Sequence, residues 1–409
     1  MTDPTINPER LWKSLMEMAA VGATPAGGCR RLALSDEDKA GRDLFVEWAK
    51  EAGCAITVDA AGNIFARREG TEPDAAPVLA GSHLDTQPTG GKFDGPLGVL
   101  AALEAVRAMN DHGVATHRPV EVAVWTNEEG TRFQPACTGS LVFSGTLALE
   151  RAYACEDSEG RKLGDELARI GYKGEAACCG RPVHAYLEVH IEQGPVLENE
   201  GTAIGAVTGI QGKKTMRVRV TGMNAHAGTT PMEVRRDPLV GTARMVLEID
   251  RLTRASRPDA VATVGSLLVE PGSINVINRE VRFTIDLRCP DDATLTSLDR
   301  AFRAAVIEAS EAMGLEAVYE EISSSATTPF DEQMVAAVEK AAGALGLSSR
   351  RMMSGAGHDA RYLSHVCPAG MVFVPCEGGL SHNEAESITP AQAADGARVL
   401  LHAVCSLAK

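Results

Sequence analysis

The chain reads as an α/β protein in which a mostly parallel central sheet flanked by helices is interrupted by a smaller α+β unit. Three observations predict this. Short apolar runs alternate with helical stretches between Val78 and Ile191. Near Gly212 the texture changes, and apolar and polar residues begin to alternate one by one. After Asp331 helical and buried-strand patterns return. Strands that alternate with helices form a parallel sheet covered on both faces, whereas one-by-one alternation marks strands with one wet face.

Each element has its own signal. Asn7 and Pro8 open a helix in which Leu11, Leu15 and Met18 share a face. Ser35-Asp-Glu-Asp38 starts a second helix with a capping-box pattern. Residues 56–58 and 64–66 flank an Asp-Ala-Ala-Gly-Asn turn, which predicts a hairpin. An apolar strand over 78–81 runs into His83, and a helix is predicted over 98–109. The strand over 120–125 ends at a Glu pair, and the strand over 185–191 carries His190 near its end.

In the middle stretch, 215–220 alternates, 237–251 is helical and 262–269 is extended. Val281, Phe283, Ile285 and Leu287 alternate strictly, 291–313 is helical and 315–322 extended. That β-α-β-β-α-β order predicts a ferredoxin-like sandwich. A helix from Asp331, a strand over 371–374 and a helix from Pro390 complete the first unit. The predicted division is a discontinuous domain over 1–210 and 328–409, with an insert over 211–327.

A length of 409 residues favours two domains, and 44% hydrophobic against 23% charged residues suits real cores. The net charge of -15 argues against nucleic acid and anionic membranes as partners. No apolar run is long enough to span a bilayer. Met1 to Lys13 is polar and lacks a signal-peptide stretch, so a cytoplasmic location is expected. Ten cysteines without CxxC spacing read as reduced thiols, not as a metal site.

The chemistry is carried by five separated residues in metal-suited contexts. They are His83 in Gly81-Ser-His-Leu-Asp-Thr86, Asp94 before Gly95, Glu129 in Thr126-Asn-Glu-Glu-Gly130, His190 in Glu188-Val-His-Ile-Glu-Gln-Gly194, and His382 in Gly379-Leu-Ser-His-Asn-Glu384. His83, Glu128, Glu129 and His190 lie at or near strand ends, where ligands gather in open α/β sheets. Three His and two carboxylates suit two divalent ions sharing one carboxylate, zinc first, with manganese, cobalt or nickel as alternatives. Such a pair generates hydroxide at neutral pH and polarises a carbonyl. Asp85, two residues after His83, is expected to accept the imidazole's other N–H. Glu129 would bind metal while Glu128 stays free to move a proton. An adjacent Glu pair is also what a solvated surface presents; its place after an apolar strand argues for the site.

Other residues carry two readings each. His226 in Asn224-Ala-His-Ala-Gly228 is either structural or part of a binding loop with Gly228-Thr-Thr-Pro231. Arg288 at a strand end is either a surface ion pair or a fork for a substrate carboxylate, with Asn275 nearby in sequence. His358 in the glycine-rich turn Ser354-Gly-Ala-Gly-His-Asp359 suits a place near the site more than a ligand role.

With Gly91-Lys-Phe-Asp-Gly95, Thr126-Asn-Glu-Glu-Gly-Thr-Arg-Phe133, His190-Ile-Glu-Gln-Gly-Pro195, His226-Ala-Gly-Thr-Thr-Pro-Met232 and Leu380-Ser-His-Asn-Glu384, the whole chain resembles the hydantoinase/carbamoylase amidases. These belong to the superfamily of dinuclear zinc aminoacylases and carboxypeptidases. The resemblance implies a zinc-exopeptidase-like catalytic domain holding two Zn2+ per subunit. One ion would sit on His83, Asp94 and His190, the other on Asp94, Glu129 and His382. It implies Glu128 as general base, Gln193 beside the metals, and the loop around Gly357 lining the pocket. His226, Asn275 and Arg288 would bind substrate from a dimerisation or lid domain, with His226 reaching the partner subunit of a homodimer. The implied reaction is hydrolysis of the carbamoyl group of an N-carbamoyl-L-amino acid. Alternatives are allantoate or 3-ureidopropionate as substrate, a metallopeptidase or aminoacylase, and a non-catalytic dimeric binding protein on the same fold.

Overall fold

The structure, a computed structural model, describes residues 4–409, so the first three residues of the polar stretch Met1–Lys13 lie outside it. Sixteen strands follow one another in the described chain. The first six are β1 (Ala55–Val58), β2 (Ile64–Arg68), β3 (Val78–His83), β4 (Val120–Trp125), β5 (Ala185–Ile191) and β6 (Ile204–Ile210). Then come β7 (Gly212–Thr221), β8 (Ala225–His226), β9 (Val261–Thr263), β10 (Leu267–Glu270), β11 (Val276–Ile277), β12 (Glu280–Cys289) and β13 (Glu316–Ser325). The last are β14 (Thr328–Pro329), β15 (Ser349–Ser354) and β16 (Ala369–Val374). The chain divides into two compact units, Met1–Gly209 with Pro329–Lys409, and Ile210–Thr328.

The first unit is built on a nine-stranded sheet in the order β1-β2-β4-β3-β5-β16-β6-β14, with β15 also paired to β6. The sheet is mixed, with a parallel centre and antiparallel pairs beside it. At its centre β4, β3, β5 and β16 run parallel side by side. The flanks are antiparallel, at β1–β2, β2–β4 and β16–β6. A tight turn such as the one joining β1 to β2 can only return the chain antiparallel, and parallel pairing needs a long crossover.

The four parallel strands are buried along their whole length. Their near-continuous apolar runs are what a sheet covered on both faces requires. Helices Pro96–Asp111 and Pro390–Leu407 pack against these strands and each other. The second carries a capping box in which Thr389 accepts from the Gln392 N–H and Gln392 reaches back to Thr389. At the earlier helix Asp36–Glu51, Ser35 caps as expected, but the Asp38 carboxylate turns to the Leu34 N–H and to Arg42. Among the described residues no helix is long and apolar enough to cross a membrane.

The inserted unit has an antiparallel sheet in the order β10-β12-β7-β13, with β9 also paired to β12. β12 and β7 pair over ten residues, from Glu280 opposite Thr221 to Cys289 opposite Gly212. Met216, Val218, Val220, Phe283, Ile285 and Leu287 point to one face and pack on helices Pro238–Arg254 and Asp292–Ala312. Each such large side chain contributes about 1.5–3 kcal/mol when fully buried. The single strand expected over 262–269 is two strands, because Val264-Gly-Ser266 leaves the ladder between β9 and β10.

Candidate metal centre

Parallel strands β3 and β5 end beside each other, which brings His83 and His190 together; their ring centroids are 6.0 Å apart. Both rings are buried. Each is fixed by its Nδ1–H, which donates to the Asp85 carbonyl oxygen at 2.9 Å for His83 and to the Ile191 carbonyl at 3.0 Å for His190. That choice of tautomer leaves both Nε2 lone pairs facing the centre, and neither Nε2 makes a hydrogen bond.

Asp94 stands between two sets of partners. Its Oδ1 lies 3.6 Å from His83 Nε2 and 3.2 Å from His190 Nε2. Its Oδ2 lies 3.5 Å from His382 Nε2, which in turn is 3.3 Å from Glu129 Oε2. The carboxylate is aimed by its backbone, since Glu386 Oε1 accepts the N–H groups of Phe93 and Asp94 at 2.9 and 3.1 Å. Gly95 follows with a φ of +85°, and a Cβ there would sit 2.4 Å from His83 Cε1. Only glycine combines that conformation with so close an approach.

Glu128 and Glu129 follow β4 through Asn127, which has a positive φ of 54° and whose amide donates to the Phe133 carbonyl and the Thr138 hydroxyl. Glu128 Oε2 is 3.6 Å from His83 Nε2, and Cys137 Sγ lies 3.4 Å from its Oε1. Burial above all, and the surrounding carboxylates, push both acids up, Glu129 to about 8 and Glu128 well above its usual range. Asp94 moves the other way with no cation present: burial alone would raise it, but His190 and His83, when protonated on Nε2 as well, hold it well below the usual carboxylate range.

The expectation for Asp85 needs correction. Its carboxylate does not clamp His83, whose Nδ1 is 4.0 Å from Oδ1. The backbone carbonyl takes that role, and the carboxylate oxygens accept the N–H groups of Glu128 and Glu129 at 3.2 and 3.1 Å. The chain leaves β3 at His83, so strand alternation no longer governs where Asp85 points.

Two clusters could each hold a metal ion: His83, Asp94 and His190, and Asp94, Glu129 and His382. Buried imidazole nitrogens without partners, beside carboxylates whose charge is penalised by burial, fit divalent cations of the zinc type. Glu188, His190 and His358 also lie close. Glu188, however, accepts from the Ser82 hydroxyl at 2.7 Å and the Ala360 N–H at 3.2 Å, with the Tyr186 hydroxyl 3.1 Å away. His358 packs edge-on to His190 at 4.6 Å, and burial pushes it well below the usual histidine range, so it is a neutral wall of the centre.

Gln193 is drawn in as well: its Nε2 donates to Asp94 Oδ2 at 2.8 Å. Gly357 precedes His358 in a loop with open space around it. His226, Asn275 and Arg288 belong to the inserted unit. There β8 pairs with β11, placing His226 opposite Val276, and the Ala227 N–H donates to the Asn275 carbonyl at 2.9 Å. His226 Nδ1 accepts the Gly228 N–H at 3.0 Å, which leaves its proton on Nε2. Arg288 Nε donates to Asp286 Oδ1 at 2.8 Å, and Asp286 also meets Lys213 at 3.1 Å. The reading of Arg288 as an ion pair is therefore present, through the i, i+2 spacing of one strand face.

Sequence reasoning missed Gln87, Cys137, Ser381 and Glu386. Ser381 donates to Asp94 Oδ2 at 2.6 Å, and Gln87 Nε2 to Glu129 Oε2 at 2.6 Å. The available signal was adjacency to a ligand or its loop: Ser381 precedes His382, and Glu386 lies four residues after it.

The model of Peptidase family M20/M25/M40 matches residues 79–406. The chain is 48% identical over 404 residues to an N-carbamoyl-L-amino-acid amidohydrolase of Rhizobium meliloti, covering 99% of this chain and 97% of that protein. It is 42% identical to an N-carbamoyl-L-amino acid amidohydrolase of Geobacillus stearothermophilus, with 99% of each covered. Among solved structures, a hydantoinase/carbamoylase family amidase from Burkholderia multivorans superposes with a TM-score of 0.95 at 53% identity, over 99% of this chain and 98% of that one. Ligand clusters, sheet and similarity agree: the chain belongs to the metal-dependent M20/M25/M40 peptidase family and, within it, to the hydantoinase/carbamoylase amidases.

Proposed function

We propose that the chain hydrolyses N-carbamoyl-L-amino acids to the free amino acid, carbon dioxide and ammonia. The observation that carries this reading is Asp94, whose two oxygens face different ligand sets with Glu128 alongside. In the proposal His83, Asp94 and His190 hold one Zn2+, and Asp94, Glu129 and His382 a second. When bound, such a pair acidifies water and polarises the ureido carbonyl.

The protein's own groups do the rest. Glu128 takes a proton from the attacking water and passes it to the amino nitrogen as its bond to the ureido carbon breaks, and the carbamate left behind decomposes to carbon dioxide and ammonia. The His226 Nε2–H donates to the ureido oxygen, where charge develops. Arg288 leaves Asp286 to fork onto the substrate carboxylate, with Asn275 beside it. Gln193 and the loop at Gly357 orient the ureido end. The inserted unit, with the strand order of a ferredoxin-like sandwich, serves as lid and dimerisation domain, so that His226 completes the site of the partner subunit. Ten cysteines without CxxC spacing, read as reduced thiols, suit a reducing, cytoplasmic setting.

Ammonia release from the Zn2+-loaded enzyme tests the reading. N-carbamoyl-L-amino acids should turn over well above their D-enantiomers, 3-ureidopropionate and allantoate. Faster release from allantoate would reassign the substrate.

A further inference from the structure

The two ligand clusters differ in how their side chains are held. In the first, His83 and His190 are buried and each Nδ1–H is pinned to a backbone carbonyl. In the second, the His382 side chain is 50% exposed and its backbone has a φ of 54°. There Glu129 Oε2, the oxygen nearest His382, is gripped by Gln87 Nε2 at 2.6 Å. The other end of the same amide, Oε1, accepts the Thr131 hydroxyl at 2.8 Å. An ionised carboxylate only accepts, so Glu129 turns the amide with its N–H toward Oε2, and the Thr131 hydroxyl then donates to the remaining Oε1 and braces it there. Thr131 lies two residues after Glu129, so the three residues close a small ring across the loop.

We propose that Gln87 is a positioning residue for Glu129, and that the Thr131–Gln87–Glu129 chain sets how firmly the Asp94–Glu129–His382 position retains its ion. The inference rests on the two-ion reading given above and deepens it. A carboxylate already held in its ligating rotamer loses no further side-chain freedom when an ion arrives, and groups that orient ligands typically account for about 10–100-fold in metal affinity.

The test is calorimetric titration of the full chain, stripped by chelator, with Zn2+ alone, beside thermal melting of the metal-free protein. The wild type should take up two ions. Gln87→Leu should weaken one binding event about 10–100-fold, leave the other unchanged, and melt as the wild type does without metal. Thr131→Val should shift the same event in the same direction by less. If Gln87→Leu melts early, Thr131→Val carries the test: one weakened event supports the inference and two unchanged events overturn it. Two events at wild-type affinity in Gln87→Leu, or both weakened alike, also overturn it while leaving the two-ion reading intact. A wild type that binds a single ion overturns both.

Discussion

Asp85 Oδ2 accepts the backbone N–H of Glu129 at 3.1 Å, while Oδ1 of the same carboxylate holds the N–H of Glu128 at 3.2 Å. One acid thus fixes the main chain of the proposed base and of a proposed ligand together. Its own carbonyl fixes His83.

An amide cannot accept at both positions. Asp85→Asn leaves one buried N–H facing an NH2 group, at a cost of about 1–3 kcal/mol. The variant should melt at lower temperature and lose turnover, even when saturated with metal. Wild-type melting and kcat together would show that the pair of N–H bonds does not hold the Glu128–Glu129 turn.

Glu128→Gln keeps shape and hydrogen-bonding reach but cannot take a proton. The prediction is unchanged metal content with kcat reduced about 10²–10⁴-fold. Metal analysis beside steady-state ammonia release checks it, and near-normal kcat removes Glu128 from the proposed chemistry.

Gly95→Ala places a methyl against the His83 ring at a φ of +85°. That backbone conformation is itself strained for any residue with a Cβ. The larger effect comes from pushing His83 away from Asp94. Weaker binding of at least one Zn2+ is expected in titration, together with a lower melting temperature; unaltered ion affinity would refute the steric reading.

A pH effect follows from Arg132, two residues beyond Gly130. Its guanidinium bonds Asp157 at 3.1 Å, Glu166 at 2.7 Å and the Ala33 carbonyl at 3.1 Å. Both acids are held below their ordinary values of 3.8 and 4.5. Burial alone would raise them, but backbone N–H groups with Arg132 outweigh it for Asp157, and Arg132 with Arg169 for Glu166. A depressed carboxylate stabilises the fold above its unfolded-state value and loses that contribution as pH falls through its folded value. Arg132→Met should therefore melt well below wild type at pH 7, and the gap should narrow as pH drops below about 4. A gap that does not vary with pH would show that packing, not charge, is what Arg132 supplies.

Much of the centre is legible in the sequence because strand ends announce themselves. An apolar run stopping at His83, at the Glu128 pair or at His190 marks where the chain leaves a buried sheet and can present a polar side chain. What was not legible lies where periodicity stops. Asp85 and Gln87 follow a strand end, and their direction is set by turn geometry and by partners far along the chain. The antiparallel pairing of β6 hid for a related reason. The β1–β2 hairpin is local and readable, but β6 carries only a short, glycine-interrupted run whose pairing with β16 is decided by tertiary contacts. In the inserted unit strict alternation gave the strands away, yet Asp286 and Arg288 share a face by the same rule, so their ion pair was available to arithmetic.

The proposed ligands do not leave the ribosome together. His83, Asp94, Glu129 and His190 are all made before the inserted unit, and His382 only long after it. On the proposed two-ion reading, His83, Asp94 and His190 are all synthesised while Glu129 still lacks its histidine, so that reading gives maturation an order in which one proposed cation position is complete in sequence before the other.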